Sequence, residues 1–286
     1  MDWSKTKTIL IIALLLTNLM LLITFFKEQS RFEIERDNNL KDVVKLYENK
    51  GVTIRQAELD FPTSIKSVNI EFESIPVTAV DGILGSEYVY DGSKYVSGNQ
   101  TVVLNDTELM YSIGHHQSRV AQDMLTALIN AVKIETDDAV DTYKIMAQDF
   151  LDKIGLKSTF DTVEVFELGD YILLKGLQKY NDIFLMESKS NFWFYNGTLV
   201  GFRRENWTNI SSTAGSKYDI ISVDRVLYGI LPKLSSTDAI DSISIVYKLN
   251  DESLLVKDLV MGEALPYYRL VTNHGNEFYI RAVTNN

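Results

Sequence analysis

The chain has 286 residues, 28 basic against 39 acidic, a formal net charge of −11, and no cysteine. So acidic a balance argues against nucleic acid, whose affinity rests on Lys and Arg neutralising phosphates, and against lying flat on anionic lipid. Without cysteine there are no disulfides and no thiolate chemistry, so stability rests on burial, for which thirteen Phe, fifteen Tyr and three Trp supply apolar area.

Residues 1–7 form a short tail with Lys5 and Lys7, and Thr8 to Phe26 carries no charge. As a helix that run reaches roughly 28 Å, against about 30 Å for the hydrocarbon core of a bilayer. The two lysines before it favour an N-terminus in the cytoplasm. The bulky stretch Leu21 to Lys27 offers no small-x-small cleavage site. The expectation is an uncleaved transmembrane signal anchor over 8–26, with the rest of the chain on the extracellular side. Ala13, Thr17, Met20 and Thr24 fall on one helical stripe with Asn18 beside it. Small and hydroxylated residues let transmembrane helices approach closely, which makes this a candidate contact face. The alternative is that the hydroxyls bond back to their own helix.

From 27 to 50 the sequence is charged, with Leu40, Val43, Val44 and Tyr47 at helical spacing and Gly51 as a stop. A juxtamembrane helix leaving the bilayer is expected there. Ser67 to Glu73 alternates strictly and predicts a half-buried strand. Asp81-Gly82 and Asp91-Gly92 read as hairpin turns, and 101–104 and 109–113 as further strands, so 52–113 forms a small meander. Ala121, Met124, Leu125, Leu128, Ile129 and Val132 make one apolar stripe that Ser118 can cap, and a second helix follows Thr136 and stops at Gly155.

Strands are then expected at 162–168, 171–177, 183–187, 190–195 and 198–204, with turns at Gly169-Asp170 and Asn196-Gly197. Ser222 opens a helix ended by Pro232, and strands near 240–249, 264–272 and 276–283 complete the chain. Helix-then-meander thus occurs twice. The expected class is α+β, with a first lobe over 51–134 and a second over 135–286 beyond the anchor and its helix.

No catalytic constellation emerges. His115-His116 would point to opposite faces of a strand, and His274 lies in a distant turn, whereas zinc needs three or four convergent ligands. A solvated turn or an interface is expected for the pair. No G-x-S-x-G elbow or phosphate-cradling glycine loop is present, and acid pairs such as Glu71/Glu73 fit a solvated strand face. No cofactor and no metal are expected. Phe192-Trp193-Phe194-Tyr195 has apolar residues on both strand faces. That suits a central strand buried on both sides, or else a docking surface built on Trp193, Tyr195 and Trp207.

The opening heptapeptide Met1-Asp2-Trp3-Ser4-Lys5-Thr6-Lys7 joined to a single anchor, with Leu265-Pro266-Tyr267-Tyr268-Arg269-Leu270 and Phe278-Tyr279-Ile280 near the end, resembles the YycI (WalI) family. The C-terminal hairpin pattern is shared with PepSY-like modules. That resemblance implies a non-enzymatic, membrane-anchored regulator of the essential cell-wall two-component system of Gram-positive bacteria. Its implied partners are the sensor histidine kinase WalK (YycG) and the related protein YycH (WalH), and it brings no catalytic residue with it. The alternative from another class is an anchored extracellular peptidoglycan-binding or wall-hydrolase-type domain.

Overall fold

The computed structural model describes residues 3–56, 59–121, 131–249 and 261–283. Met124, Leu125, Leu128 and Ile129 of the expected stripe lie outside them. The chain forms two compact units, one of Met1–Leu59 with Ser222–Ala239, the other of Asp60–Ile221 with Ile240–Asn286.

In the first unit, α1 runs unbroken from Trp3 to Lys50. Its side chains from Leu10 to Phe25 are all exposed, whereas Val43 and Tyr47 near its end are buried. Among the described residues no helix is long and apolar enough to cross a membrane. Gly51, at φ +81°, ends α1 by turning left-handed, and the backbone N–H of Val52 closes on the Tyr47 carbonyl at 2.9 Å. The second helix of this unit, α5 (Val223–Ile230), buries Val223, Val226, Leu227 and Ile230. The Tyr47 hydroxyl donates to the Leu227 carbonyl at 2.8 Å, and Lys50 Nζ to that of Leu231 at 2.6 Å. The Leu227 carbonyl also accepts from the Leu231 N–H, and the Leu231 carbonyl from the Leu234 N–H at 3.3 Å, so α1 adds a second donor to carbonyls at and just beyond the end of α5.

The second unit is built on one sheet. The short β1 (Thr53–Ile54) belongs to the first unit; the strands of the second are β2 (Ser64–Phe72), β3 (Val89–Tyr90), β4 (Tyr95–Ser97), β5 (Gln100–Leu104), β6 (Glu108–Ile113), β7 (Val132–Ile134), β8 (Thr162–Leu168), β9 (Tyr171–Tyr180), β10 (Ile183–Tyr195), β11 (Thr198–Glu205), β12 (Thr208–Asp219), β13 (Ala239–Leu249), β14 (Met261–Thr272) and β15 (Glu277–Arg281). Hydrogen-bonded neighbours run β12-β2-β14-β13-β10-β11-β6-β5-β4-β3, with β15 on β14, β9 on β10, β8 on β9 and β7 on β8. The sheet crosses the expected 134/135 boundary, because β6 pairs with β11 and β2 with both β12 and β14. The architecture is mixed α+β, dominated by this sheet.

β10 is the junction. It pairs with β13 in parallel at Phe184 and Leu185, and with β11 antiparallel from Lys189 to Tyr195, while β9 accompanies both halves. One face of its C-terminal half presents Phe192 and Phe194 to a cluster with Val102, Leu109 and Phe202. Short helix α2 (Thr78–Leu84) adds Ala79 and Val80 to that cluster, and α4 (Asp137–Lys153) adds Ala147 and Leu151. The other face presents Trp193 to Val120, Leu168, Leu173 and Val200. Val120 comes from α3 (Gln117–Val120), which contains Ser118. The strand is thus buried on both sides, as its composition suggests.

One predicted turn fails. Asp81-Gly82 lies inside α2, not in a hairpin. A Cβ on Gly82 would stand 2.9 Å from the Ile154 Cα, so the glycine is there to let α2 approach the end of α4. Asp91-Gly92 does turn β3 into β4, with Gly92 at φ +96°. Val132, expected to be helical, opens β7.

Gly201 on β11 offers a direct check. A Cβ there would meet Val120 Cγ2 at 2.1 Å. Gly201→Ala is expected to cost about 1–3 kcal/mol in urea unfolding through overpacking. In combination with Val120→Ala the loss should fall short of the two single losses added together, since the pair shares one space.

Candidate functional site

Strand register assembles a polar row that no local sequence pattern announces. Glu164 on β8 stands opposite Lys175 on β9, Lys175 opposite Asn191 on β10, Asn191 opposite Arg203 on β11, and Arg203 opposite Met110 on β6. Directly opposed residues of antiparallel strands share a face, so these side chains lie on the side that carries Trp193. Phe166, Leu173, Trp193 and Gly201 form the next row. The face is therefore apolar at one end and charged beside it.

Lys175 Nζ lies 3.6 Å from Glu164, which Lys133 also reaches at 3.3 Å. The Lys175 side chain is 15% exposed. Burial pushes its pKa below the ordinary lysine value, with Glu164 pulling back and Arg269, Glu277 and Lys189 also acting on the charge. Asn191 is 0% exposed, and neither its amide oxygen nor its amide nitrogen has a hydrogen-bond partner. Arg203 is held by Glu108 at 2.9 Å and Glu205 at 2.6 Å. From β14 and β15, Arg269 pairs with Glu277 at 2.6 Å, and Tyr279 donates to the same carboxylate. Burial opposes the Glu277 charge, but the bonds from Arg269 and Tyr279 outweigh it and hold the carboxyl below its usual range.

A second buried charge sits on the opposite face. Arg204 is fully buried, pairs with Glu73 at 2.6 Å, donates to the Lys157 carbonyl at 3.0 Å and stacks over Trp207 at 4.4 Å. Burial brings its pKa down to about 10, offset in part by Glu73. With every contact supplied from within the fold, this arrangement is a structural clamp. It also accounts for Glu73, expected on a solvated strand face.

The histidine pair lies in a turn, as expected, but only His115 is exposed. His115 and His116 occupy a 3-10 turn, Gly114–His116, which brings their rings to 3.9 Å instead of sending them to opposite faces. His116 is buried, not solvated. Its Nδ1 shares a hydrogen bond with the Tyr171 hydroxyl at 2.7 Å, and its ring meets Tyr195 at 5.1 Å. Burial, and then the neighbouring His115, push its pKa below the ordinary histidine value. Among the described residues no group of three or more His, Cys, Asp or Glu could hold a metal ion.

Of the proposed aromatic docking surface, Trp193 is 0% and Trp207 1% exposed, and only Tyr195 is partly open. Trp193 is buried within β10, and Trp207 under the Arg204 guanidinium and against the edge of Phe160. On α1, the Thr17 hydroxyl donates to the Ala13 carbonyl at 2.9 Å and that of Thr24 to the Met20 carbonyl at 2.8 Å. Both are satisfied within the helix. Asn18 instead lines a shallow groove with Ile12, Leu15, Leu16, Leu19 and Leu22. Sequence reading missed the Glu164–Asn191 row, although Lys175 inside the apolar run Ile172 to Leu177 is a signal that could have marked it.

No family model and no curated protein matches the chain. Among solved structures it is similar to an uncharacterized protein from Eubacterium rectale, with a TM-score of 0.47 and 8% identity over 80% of this chain and 85% of that one. So distant a likeness carries no reading of function.

The burial of His116 sets a direction for pH dependence. Its folded pKa lies below that of the unfolded chain, so its contribution is complete where neither state binds the proton. That contribution is lost as pH falls below about 6.5, where the unfolded chain is protonated first. Urea midpoints at roughly pH 7.5 and pH 5.5 should differ more for the native chain than for His116→Phe, which removes the titration but keeps an aromatic ring.

Proposed function

We propose that this chain is a non-enzymatic regulator anchored by one transmembrane helix over 8–26, with its N-terminus cytoplasmic and the remainder extracellular. In this reading it acts on a sensor histidine kinase of the WalK (YycG) kind, together with a YycH (WalH) partner, as its resemblance to the YycI family implies. No cofactor enters. The observation that carries the reading is the continuity of α1, which passes without a break from an apolar segment exposed on every side to a terminus clamped on α5. An uninterrupted helix transmits a shift or rotation along its axis, so an event outside the membrane reaches the anchor. To bias a kinase, the anchor must bind one kinase state more tightly than the other.

Asn18 is the residue of the anchor face with an amide to offer, because the hydroxyls of Thr17 and Thr24 are used within the helix. In detergent-solubilised native membranes, full-length Asn18→Leu should co-purify several-fold less kinase than the native chain, and Thr17→Leu should lose little. Undiminished recovery with Asn18→Leu counts against this contact face. Release of muropeptides by the purified full chain would move the assignment to a wall hydrolase.

The clamp yields a separate expectation. Tyr47→Phe removes one buried hydrogen bond, worth about 1 kcal/mol, and Lys50→Ala removes the second. The double variant should still co-purify with the kinase but change the expression of kinase-controlled genes. Unchanged expression would show that α1 serves for retention alone.

A further inference from the structure

The row Glu164, Lys175, Asn191, Arg203 sets a base, an amine, a carboxamide and a cation in order across four strands. A fully buried amide with no partner at either atom is rare, since nearly all such groups in folded proteins are bonded. Its direct cross-strand neighbour is a lysine whose burial favours the uncharged, nucleophilic amine. Cβ atoms of opposed residues stand roughly 5 Å apart, within the span of a four-carbon lysine stem. Phe166, 5.7 Å from the amine, and Leu173 and Trp193 in the next row keep water from one side.

We propose that Lys175 and Asn191 join in an intramolecular isopeptide bond. The Lys175 Nζ lone pair attacks Asn191 Cγ, and negative charge develops on Oδ1, in the row that Arg203 continues on the next strand. Glu164, 3.6 Å from Nζ, accepts the proton released by the amine and passes it to Nδ2. The Cγ–Nδ2 bond breaks, ammonia leaves, and an Nζ–Cγ amide remains. Nothing is oxidised or reduced and no further reactant is consumed. The product ties β9 to β10, the strand pair that carries Leu173 and Trp193. In a chain without cysteine it supplies the restraint on the unfolded state that a disulfide gives elsewhere, with no dependence on redox conditions.

The full chain, purified in detergent, decides the matter by mass. The native protein should be lighter than its sequence by one ammonia, and proteolysis should yield a branched peptide joining Lys175 to Asn191. Asn191→Ala and Glu164→Gln should each have the full mass. Glu164 is partly exposed, so its glutamine variant is expected to fold, and circular dichroism checks that it does. A native chain at full mass after prolonged incubation overturns the proposal. So does an ammonia loss that maps to a cyclic imide at Asn196-Gly197. Cross-linked Glu164→Gln would overturn the role of the carboxylate.

Discussion

A strand buried on both faces cannot hand any polar group to water, and β10 imposes that condition on the whole sheet. Phe192, Trp193 and Phe194 are all fully buried, on alternate sides. The strand also changes neighbours along its length, from β13 to β11. At the changeover, backbone groups lose their ladder partners and side chains replace them. Gln178 accepts from the Thr208 N–H at 2.9 Å and donates to the Thr208 carbonyl at 3.1 Å. Ser188 donates to the Asn206 carbonyl at 2.9 Å, and Glu187 accepts from the Leu249 N–H at 3.0 Å. Side chains thus take over backbone hydrogen bonds around the changeover, while the Ser190 hydroxyl and both atoms of the Asn191 amide, in the middle of β10, stay without a partner.

The same condition governs the charges. The chain is acidic as a whole, yet cations lie in or near the sheet interior: Arg204, Lys175 and Arg269. Each faces a glutamate, respectively Glu73, Glu164 and Glu277. Burying one partner of such a pair without the other would cost several kcal/mol, at about 3–5 in measured cases. Glu73 and Arg204 join segments 131 residues apart, whereas the other two pairs fix the registers of the consecutive strands β8–β9 and β14–β15. Asn191 is the member of its row left without such an arrangement.

Much of the local structure could be read from the chain. Alternation located β2, the strand expected at 162–168 is β8, the Asn196-Gly197 pair turned β10 into β11 with φ of +48° and +74°, and the helix expected after Thr136 is α4. Asp81-Gly82 misled because a glycine demanded by helix packing and one demanded by a turn look alike in sequence. The pairings of β6 with β11 and of β13 with β10 were invisible, since they depend on segments far apart in the chain. The polar row stayed hidden for the same reason. Its members meet only through a register that a bulge between Phe184 and Lys189 shifts. The turn expected at His115-His116 is present, but as a 3-10 turn that packs His116 against Tyr171 and Tyr195 and so buries it.

The weave of this sheet bears on how the chain acquires its shape. β2 is made early, yet its partners come late: Phe72 awaits Thr208, and Val68 awaits Ala264. Contacts this distant along the chain close slowly, because the entropy of a long loop is lost before any pairing rewards it. During synthesis, β2 and its apolar Val68, Ile70 and Phe72 stay open while some two hundred residues follow. A nascent chain of this topology needs protection from aggregation and proteolysis until its last third has emerged. Truncations from the C-terminus should accordingly remove the early strands from the fold along with the late ones.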